Sequence, residues 1–217
     1  MTYNTIMRLF SVSLCFLTSK YAFTQGGDYP DYRSKKELFT RIIEKDIRGD
    51  IASFSMGGIE ESVGKQPLKS LPITGFGNDY ITFAANNIQV KITSAPFEKT
   101  KHKLGFYEEK YLVKIDNKPY FGDYGKVPRT VVQNVVLIID RDTVAIPSVA
   151  YSDLYNPVFS FYERGVQKSQ DKVLLSSDGH KVYVYMLKPE AGGSYEVTWV
   201  IQDKKYLRRV VDFGFLK

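Results

Sequence analysis

Cysteine and histidine are almost absent from this chain of 217 residues. Cys15 is the only cysteine, so a chain that loses its first 24 residues has no disulfide, no zinc–thiolate site and no thiol nucleophile. Histidine occurs only at His102 and His180, and neither has a second histidine or a carboxylate at metal-ligand spacing. We therefore predict no catalytic residues, no metal site and no cofactor, and we expect both histidines at the surface.

Long hydrophobic runs and runs of one charge are also missing. The longest apolar stretch, Leu9–Leu17, is too short to span a bilayer, so we predict no transmembrane segment in the mature chain. The 30 basic and 24 acidic side chains are interspersed, without the strong, localised basic footprint that nucleic-acid binding usually needs. We therefore predict no nucleic-acid partner.

The N-terminus has the pattern of an export signal. Arg8 precedes the apolar stretch, no acid occurs in the first 25 residues, and a polar, glycine-containing stretch follows at 24–28. Cys15 stands in a rough lipoprotein box, but Leu14 occupies the place of a small residue, which argues against lipidation. We predict a signal peptide over residues 1–24 and export to the periplasm or the extracellular space.

A single amphipathic helix is predicted next. Ser34 and Glu37 have the spacing of a capping box, and Gly49 stands where a helix favours a left-handed terminal residue. Between them, apolar residues recur at three- and four-residue spacings, which predicts a helix from Lys35 to Arg48. The apolar residues are Leu38, Phe39, Ile42, Ile43 and Ile47.

Strand patterns separated by turn residues dominate the chain after residue 79, whereas residues 50–78 are predicted as loop with short extended pieces. No second helical segment separates the strands, so the sequence predicts a mainly β fold. This fold is an antiparallel sandwich or barrel with the N-terminal helix packed on it. Residues 25–33 form a linker and 34–217 a single β-rich domain. The predicted strands are 80–84, 88–94, 104–115, 130–139, 143–146, 158–163, 172–175, 180–187, 194–202 and 205–213.

The last three predicted strands carry large side chains on both faces. Pairing 187 with 194 and 201 with 206 places Trp199 on one face and Tyr183 with Tyr185 on the other. We therefore expect a second sheet over the Trp199 face and the helix over the Tyr183 face. The same register places Arg208 opposite Trp199, close enough for a cation–π contact, which is either structural or part of an anion site.

An aromatic loop supplies the candidate ligand-binding residues. Tyr151, Asp153 and Tyr155 lie in the stretch Tyr151–Pro157, where aromatic rings beside acidic and amide groups could stack on a pyranose and hydrogen-bond to it. The alternative is structural, since the same loop could close the open end of a sandwich.

Paired acids are the other candidates for chemistry. Glu108 and Glu109 are neighbours, so in a strand they point to opposite faces and cannot share a substrate. Asp140 and Asp142 flank a predicted hairpin turn, where they could bind calcium or serve as ordinary turn residues.

The C-terminal half resembles a set of small exported bacterial proteins that are described only as uncharacterised. Three stretches carry the resemblance: 115–129, 146–157 and Gly193–Val211. The resemblance implies export and a shared β domain, but no activity.

We therefore expect an exported, non-enzymatic β domain that binds an envelope or extracellular ligand, either a glycan or a protein. The alternative is a glycan-acting hydrolase with a pair of carboxylates that the sequence does not single out.

Overall fold

The computed structural model describes residues 33–190 and 192–214. The predicted signal peptide, residues 1–24, and residues 25–32 of the predicted linker lie outside the described residues.

Two five-stranded antiparallel sheets form the fold. Sheet A has the order β1 (Lys69–Ser70), β11 (Lys172–Leu175), β12 (Lys181–Lys188), β13 (Tyr195–Gln202) and β14 (Lys205–Phe213). Sheet B has the order β2 (Ile73–Phe76), β3 (Tyr80–Ala85), β4 (Ile88–Pro96), β7 (Thr130–Ile139) and β8 (Asp142–Val144). Two separate hairpins join β5 (Leu104–Tyr107) with β6 (Tyr111–Ile115) and β9 (Phe161–Glu163) with β10 (Val166–Lys168).

The inner faces of the two sheets share one apolar core. Phe83, Ile92 and Leu137 of sheet B and Val184 and Trp199 of sheet A are fully buried in the same cluster. Each strand places alternate side chains in this core, which is how two sheets pack face to face. Neither sheet closes into a barrel, so the predicted β fold is confirmed in its sandwich form.

The outer face of sheet A is covered as well. Helix α1 (Lys45–Ala52) packs Ile47 and Ile51 in one cluster with Tyr183 and Tyr185 of β12, and all four side chains are buried. The expected covering of both faces is therefore confirmed for the two tyrosines, although Leu207 remains 43% exposed.

The predicted bounds of the helix are wrong. Two short 3₁₀ turns, Lys35–Glu37 and Phe39–Arg41, precede α1, and Gly49 lies inside the helix rather than after it. Ser34 makes no side-chain capping bond, and the Glu37 carboxylate binds Arg209 on β14. Tertiary contacts to β14 thus override the local helical pattern.

The register of the final strands differs from the predicted one in two places. Leu187 pairs with Glu196 instead of residue 194, a shift of two that leaves every side chain on its predicted face. Between β13 and β14 the predicted pair Ile201–Tyr206 is correct, but a β-bulge follows it. The bulge adds one residue to β14, so Val210 and Val211 exchange faces.

This bulge also makes the predicted Arg208–Trp199 contact wrong. Trp199 pairs with Arg209, whereas Arg208 pairs with Val200 on the helix side of the sheet. The indole of Trp199 is fully buried, and its Nε1 donates to the carbonyl of Ala150 at 2.8 Å.

Most of the predicted strands lie within three residues of the observed bounds. One predicted strand is in fact two strands joined by a turn. The predicted strand 104–115 is a hairpin, because Glu108 and Glu109 adopt positive φ angles of 49° and 56° and form its turn. The premise that these two acids lie within a strand is therefore wrong.

Candidate functional site

The three sequence-predicted binding residues have different environments. Tyr155 is buried, with its ring edge-on to Phe97 and Tyr120 at centroid distances of 5.4 and 5.7 Å. Burial raises the pKa of Tyr155 to about 12, so its phenol is neutral. Tyr151 is half-buried and packs against the core between the sheets. These two tyrosines fit the structural interpretation, in which the loop closes one end of the sandwich.

Asp153, the third predicted residue, belongs to an ion-pair network around Arg209. Both oxygens of Asp153 accept from the Arg209 guanidinium, at 2.5 and 2.7 Å. Glu37 accepts from the same guanidinium at 2.8 and 3.1 Å. Burial opposes the charge of Arg209, but the hydrogen bonds to Asp153 and Glu37 outweigh it and raise its pKa. The network joins the aromatic loop, the first 3₁₀ turn and β14.

An open groove runs along β14 beside this network, with a volume of about 310 Å³. Its walls are the 3₁₀ segment on one side and β14 on the other, so it combines apolar and basic side chains. We call it the β14 groove, and its lining residues are Lys36, Glu37, Leu38, Ile42, Tyr206, Leu207, Arg208, Arg209 and Val210. At the groove, Arg208 donates to Glu44 at 2.6 Å.

The outer edge of β14 adjoins this groove. β14 is the last strand of sheet A and pairs on one side with β13. Among residues 33–190 and 192–214, no backbone group of another segment hydrogen-bonds to its outer edge. The outer edge of this nine-residue strand therefore has no backbone partner among the described residues, although Glu37 binds Arg209 and the Phe39 N–H binds Asp212 beside it.

A pair of acids lies on the helix side of the same strands. Glu196 and Asp212 are directly paired across β13 and β14. The loop formed by residues 56–58, which contains Gly57 and Gly58, covers them closely. A Cβ at Gly57 would lie 2.9 Å from Glu196 Oε1 and 3.0 Å from Asp212 Cγ. Glu196 accepts from the N–H groups of Met56 and Gly57 and from Tyr185 Oη, and it is 2% exposed.

Burial governs the ionisation of both acids. It raises the pKa of Glu196 despite the three hydrogen bonds that this side chain accepts. Asp212 accepts one hydrogen bond within the described residues, from the Phe39 N–H at 3.0 Å, and burial together with the charge of Glu196 raises its pKa to about 6. Asp212 thus changes charge near neutral pH.

Asp171 is a second buried acid, at the start of β11. One oxygen accepts from the Leu187 N–H at 2.9 Å, and Oδ2 has no hydrogen-bond partner among the described residues. Burial raises the pKa of Asp171 well above its ordinary value, which favours the neutral form of this carboxyl.

The two histidines pair with aspartates instead of forming a metal centre. His102 lies 2.7 Å from Asp116 and is half-buried against Phe97, so the expectation that it lies at the surface holds only in part. His180 is exposed and lies 2.8 Å from Asp203.

Asp140 serves as a turn residue, which was one of the two roles expected for it. It stands at a positive φ of 52° and binds Lys204 and Asn87. The part of the chain that the structure describes contains no cluster of three or more metal-binding side chains. Nor does any helix within it have the length and hydrophobicity to cross a bilayer.

Sequence reasoning missed the groove and the Glu196–Asp212 pair. The groove depends on Lys36–Ile42 lying along β14, which the helical pattern concealed. The predicted register placed Asp212 opposite Tyr195, on the other face of the sheet from Glu196, so the β-bulge is what brings the two acids together.

Comparisons with known proteins give no relative for this chain. No family model, no curated protein sequence and no solved structure matches it. The arguments for function therefore rest on the geometry of the described residues alone.

Proposed function

We propose that this protein is an exported, non-enzymatic binding domain that captures an extended segment of a protein partner in the β14 groove. The segment would pair with the free edge of β14 and so add a sixth strand to sheet A. Backbone hydrogen bonds supply affinity in this mode, and pockets for alternate side chains supply specificity.

The observation that carries the proposal is the coincidence of an open groove with the longest free strand edge. The other outermost strands of the two five-stranded sheets, β1, β2 and β8, have two, four and three residues, against nine in β14. A long unpaired edge is a template for another chain. Here Leu38 and Leu207 add apolar surface beside that edge.

The same geometry argues against the hydrolase alternative. Glycoside hydrolysis needs two carboxyl groups that flank a bound substrate. Glu196 and Asp212 are paired across adjacent strands, but Glu196 is buried and the backbone at Gly57 lies directly against both acids. The oxygens of Glu196 therefore accept hydrogen bonds from the protein itself and do not face a bound substrate.

An array of proline-free eight-residue peptides, applied to the purified protein, tests the proposal. The tightest binder should lose at least about tenfold in affinity when alternate backbone nitrogens are methylated, because strand addition depends on those N–H donors. Leu207→Ser should weaken the same peptide by a similar factor, as measured by fluorescence anisotropy.

Val136→Ser is the matched control, since Val136 is 38% exposed on the outer face of sheet B and Leu207 is 43% exposed in the groove. The control should bind like the parent chain. Equal losses in both variants, or insensitivity to backbone methylation, would remove the support for capture at β14.

The export component has its own test. Residues 1–24 should be absent from the mature protein, because their charge and hydropathy pattern is that of a signal peptide. N-terminal sequencing of material from outside the cytoplasm should begin near Thr24 or Gln25, and a chain that still begins at Met1 would refute the prediction.

A further inference from the structure

A guanidinium group lies in an aromatic cage at the end of β14. The cage consists of the rings of Phe121, Tyr124 and Phe213, and the guanidinium belongs to Arg33. The guanidinium carbon lies between 3.7 and 5.9 Å from the three ring centres, and Nη1 donates to Tyr124 Oη at 3.2 Å. A cation within about 6 Å of a ring centre is attracted to the face of the ring. The cage therefore fastens residue 33 to the sandwich.

From the cage, the chain passes round the outer edge of β14. Phe121 and Phe213 pack with the core between the two sheets, whereas Phe39 is buried in the outer cluster that helix α1 shares. Between these points, Glu37 binds Arg209. The chain thus crosses the edge of β14 between Glu37 and Phe39. An added strand would have to lie there as well, because neighbouring strands are only about 4.8 Å apart.

Residues 33–37, which we call the strap, are attached to the sandwich by few contacts. None of their side chains is fully buried. The backbone hydrogen bonds of the 3₁₀ turn are local, from the Glu37 N–H to Ser34 and from the Leu38 N–H to Lys35. Leu38 is extended and joins this turn to the next one. The strap can therefore leave as a unit by rotation at Leu38, while Phe39 stays buried.

Departure of the strap leaves the Arg209 charge compensated. Arg209 would lose Glu37 but keep both hydrogen bonds to Asp153, at 2.5 and 2.7 Å. Glu37 would move into water, where a carboxylate is well solvated. A segment with few buried contacts opens at a much lower free energy than the whole domain unfolds. Arg33 and Glu37 are therefore the contacts that keep the strap closed.

We infer that the strap is an autoinhibitory cover of the β14 edge, held shut by Arg33 in the aromatic cage. A partner segment pairs with the full length of β14 only after the strap has left. Covering an edge with a loop is one way in which proteins prevent unwanted strand pairing. This inference rests on the proposed function and adds its regulation. Since only the open molecules capture a segment, the apparent affinity depends on the open fraction.

Arg33→Ala should strengthen binding of the tightest array peptide about fivefold, the shift in equilibrium that one partly exposed cation–π contact supplies. Tyr124→Leu removes the 45% exposed wall of the cage and should have a similar effect. Because both substitutions break one contact, the double variant should bind no more tightly than Arg33→Ala. Lys91→Ala is the matched control, since it removes a cation–π contact to Tyr80 on sheet B, and it should leave the affinity unchanged.

Cleavage of the protein without peptide measures the opening of the strap directly. A lysine-specific protease should cut after Lys35 and Lys36 about fivefold faster in Arg33→Ala than in the parent chain, because cleavage follows the population of the open form. Lys91→Ala should be cut at the parent rate. Equal rates in Arg33→Ala and the parent would show that Arg33 does not hold the strap.

The outcomes separate the inference from strand capture. If no array peptide binds the parent chain or the variants, strand capture fails and the inference fails with it. If a peptide binds at β14 and the strap of Arg33→Ala is cut faster without a gain in affinity, strand capture stands and the covering role is wrong. Weaker binding in Arg33→Ala would make the strap part of the binding surface and would also overturn the inference.

Discussion

Arg209→Met should destabilise the protein by about 3 kcal/mol, since removing one partner of a buried ion pair leaves the remaining charges buried and uncompensated. The Arg209 side chain is only 9% exposed, and it is the common partner of Glu37 and Asp153. Both carboxylates would lose their cation while about three-quarters of their surface stays buried. Thermal unfolding should show a fall in Tm of roughly 6–12 °C.

Arg208→Met is the matched control, one residue away on the same strand. Arg208 has a single carboxylate partner, and the two side chains are 39% and 37% exposed. An ion pair this accessible contributes at most about 1 kcal/mol. If the two substitutions cost the same, the Arg209 network is not what joins the 3₁₀ segment and the aromatic loop to β14.

A combined variant distinguishes the effect of uncompensated buried carboxylates from the effect of lost side-chain packing. Adding Glu37→Gln and Asp153→Asn to Arg209→Met removes the two uncompensated charges. The loss of side-chain volume at position 209 remains. Most of the lost stability should return, because a buried ionic cluster and a neutral replacement of similar size differ little in free energy. No recovery would mean that the guanidinium acts through packing.

Asp212→Asn should stabilise the protein at alkaline pH relative to the parent chain. Burial raises the pKa of Asp212 from 3.8 to about 6, so between these values the folded chain keeps a proton that the unfolded chain has lost. The free energy of unfolding therefore falls as the pH rises through this window. An asparagine carries no proton to lose and can still accept from the Phe39 N–H.

Denaturant unfolding at pH 3 and pH 8 measures this effect. The stability difference between Asp212→Asn and the parent should be about 3 kcal/mol more favourable at pH 8, since each pKa unit corresponds to about 1.4 kcal/mol. A difference that is the same at both pH values would contradict the assigned environment of Asp212.

Asp178 supplies a control of opposite sign. Hydrogen bonds from the Ser176 hydroxyl and the His180 N–H lower the pKa of Asp178, so its ionised form stabilises the fold above its ordinary pKa. Asp178→Asn should therefore become relatively less stable as the pH rises from 3 to 8.

The β-sheets were predictable from the sequence because their pattern reflects the core directly. Turn residues between the strands predicted an antiparallel sandwich or barrel, and large side chains on both faces around Trp199 predicted the two-sided covering of sheet A. The bulge after Ile201 was not predictable, since the sequence from Tyr206 to Val210 contains no residue that specifies an extra position. One inserted residue was enough to reverse the roles of Arg208 and Arg209.

The candidate site was less accessible to sequence reasoning than the fold. Ser34 and Glu37 have the spacing of a helix cap, but the pairing of Glu37 with Arg209 is a contact across 172 residues that no local pattern encodes. The local composition singled out Tyr151 and Tyr155, but their packing depends on the assembled sandwich and has no local signal.

Amide hydrogen exchange of the protein with and without its tightest peptide tests capture at β14 most directly. The account predicts that the β14 amides that do not bond to β13 exchange at least about tenfold more slowly with peptide, whereas the edge strand β8 is unchanged. Peptide binding that leaves β14 exchange unaltered, or that protects another edge instead, would contradict it.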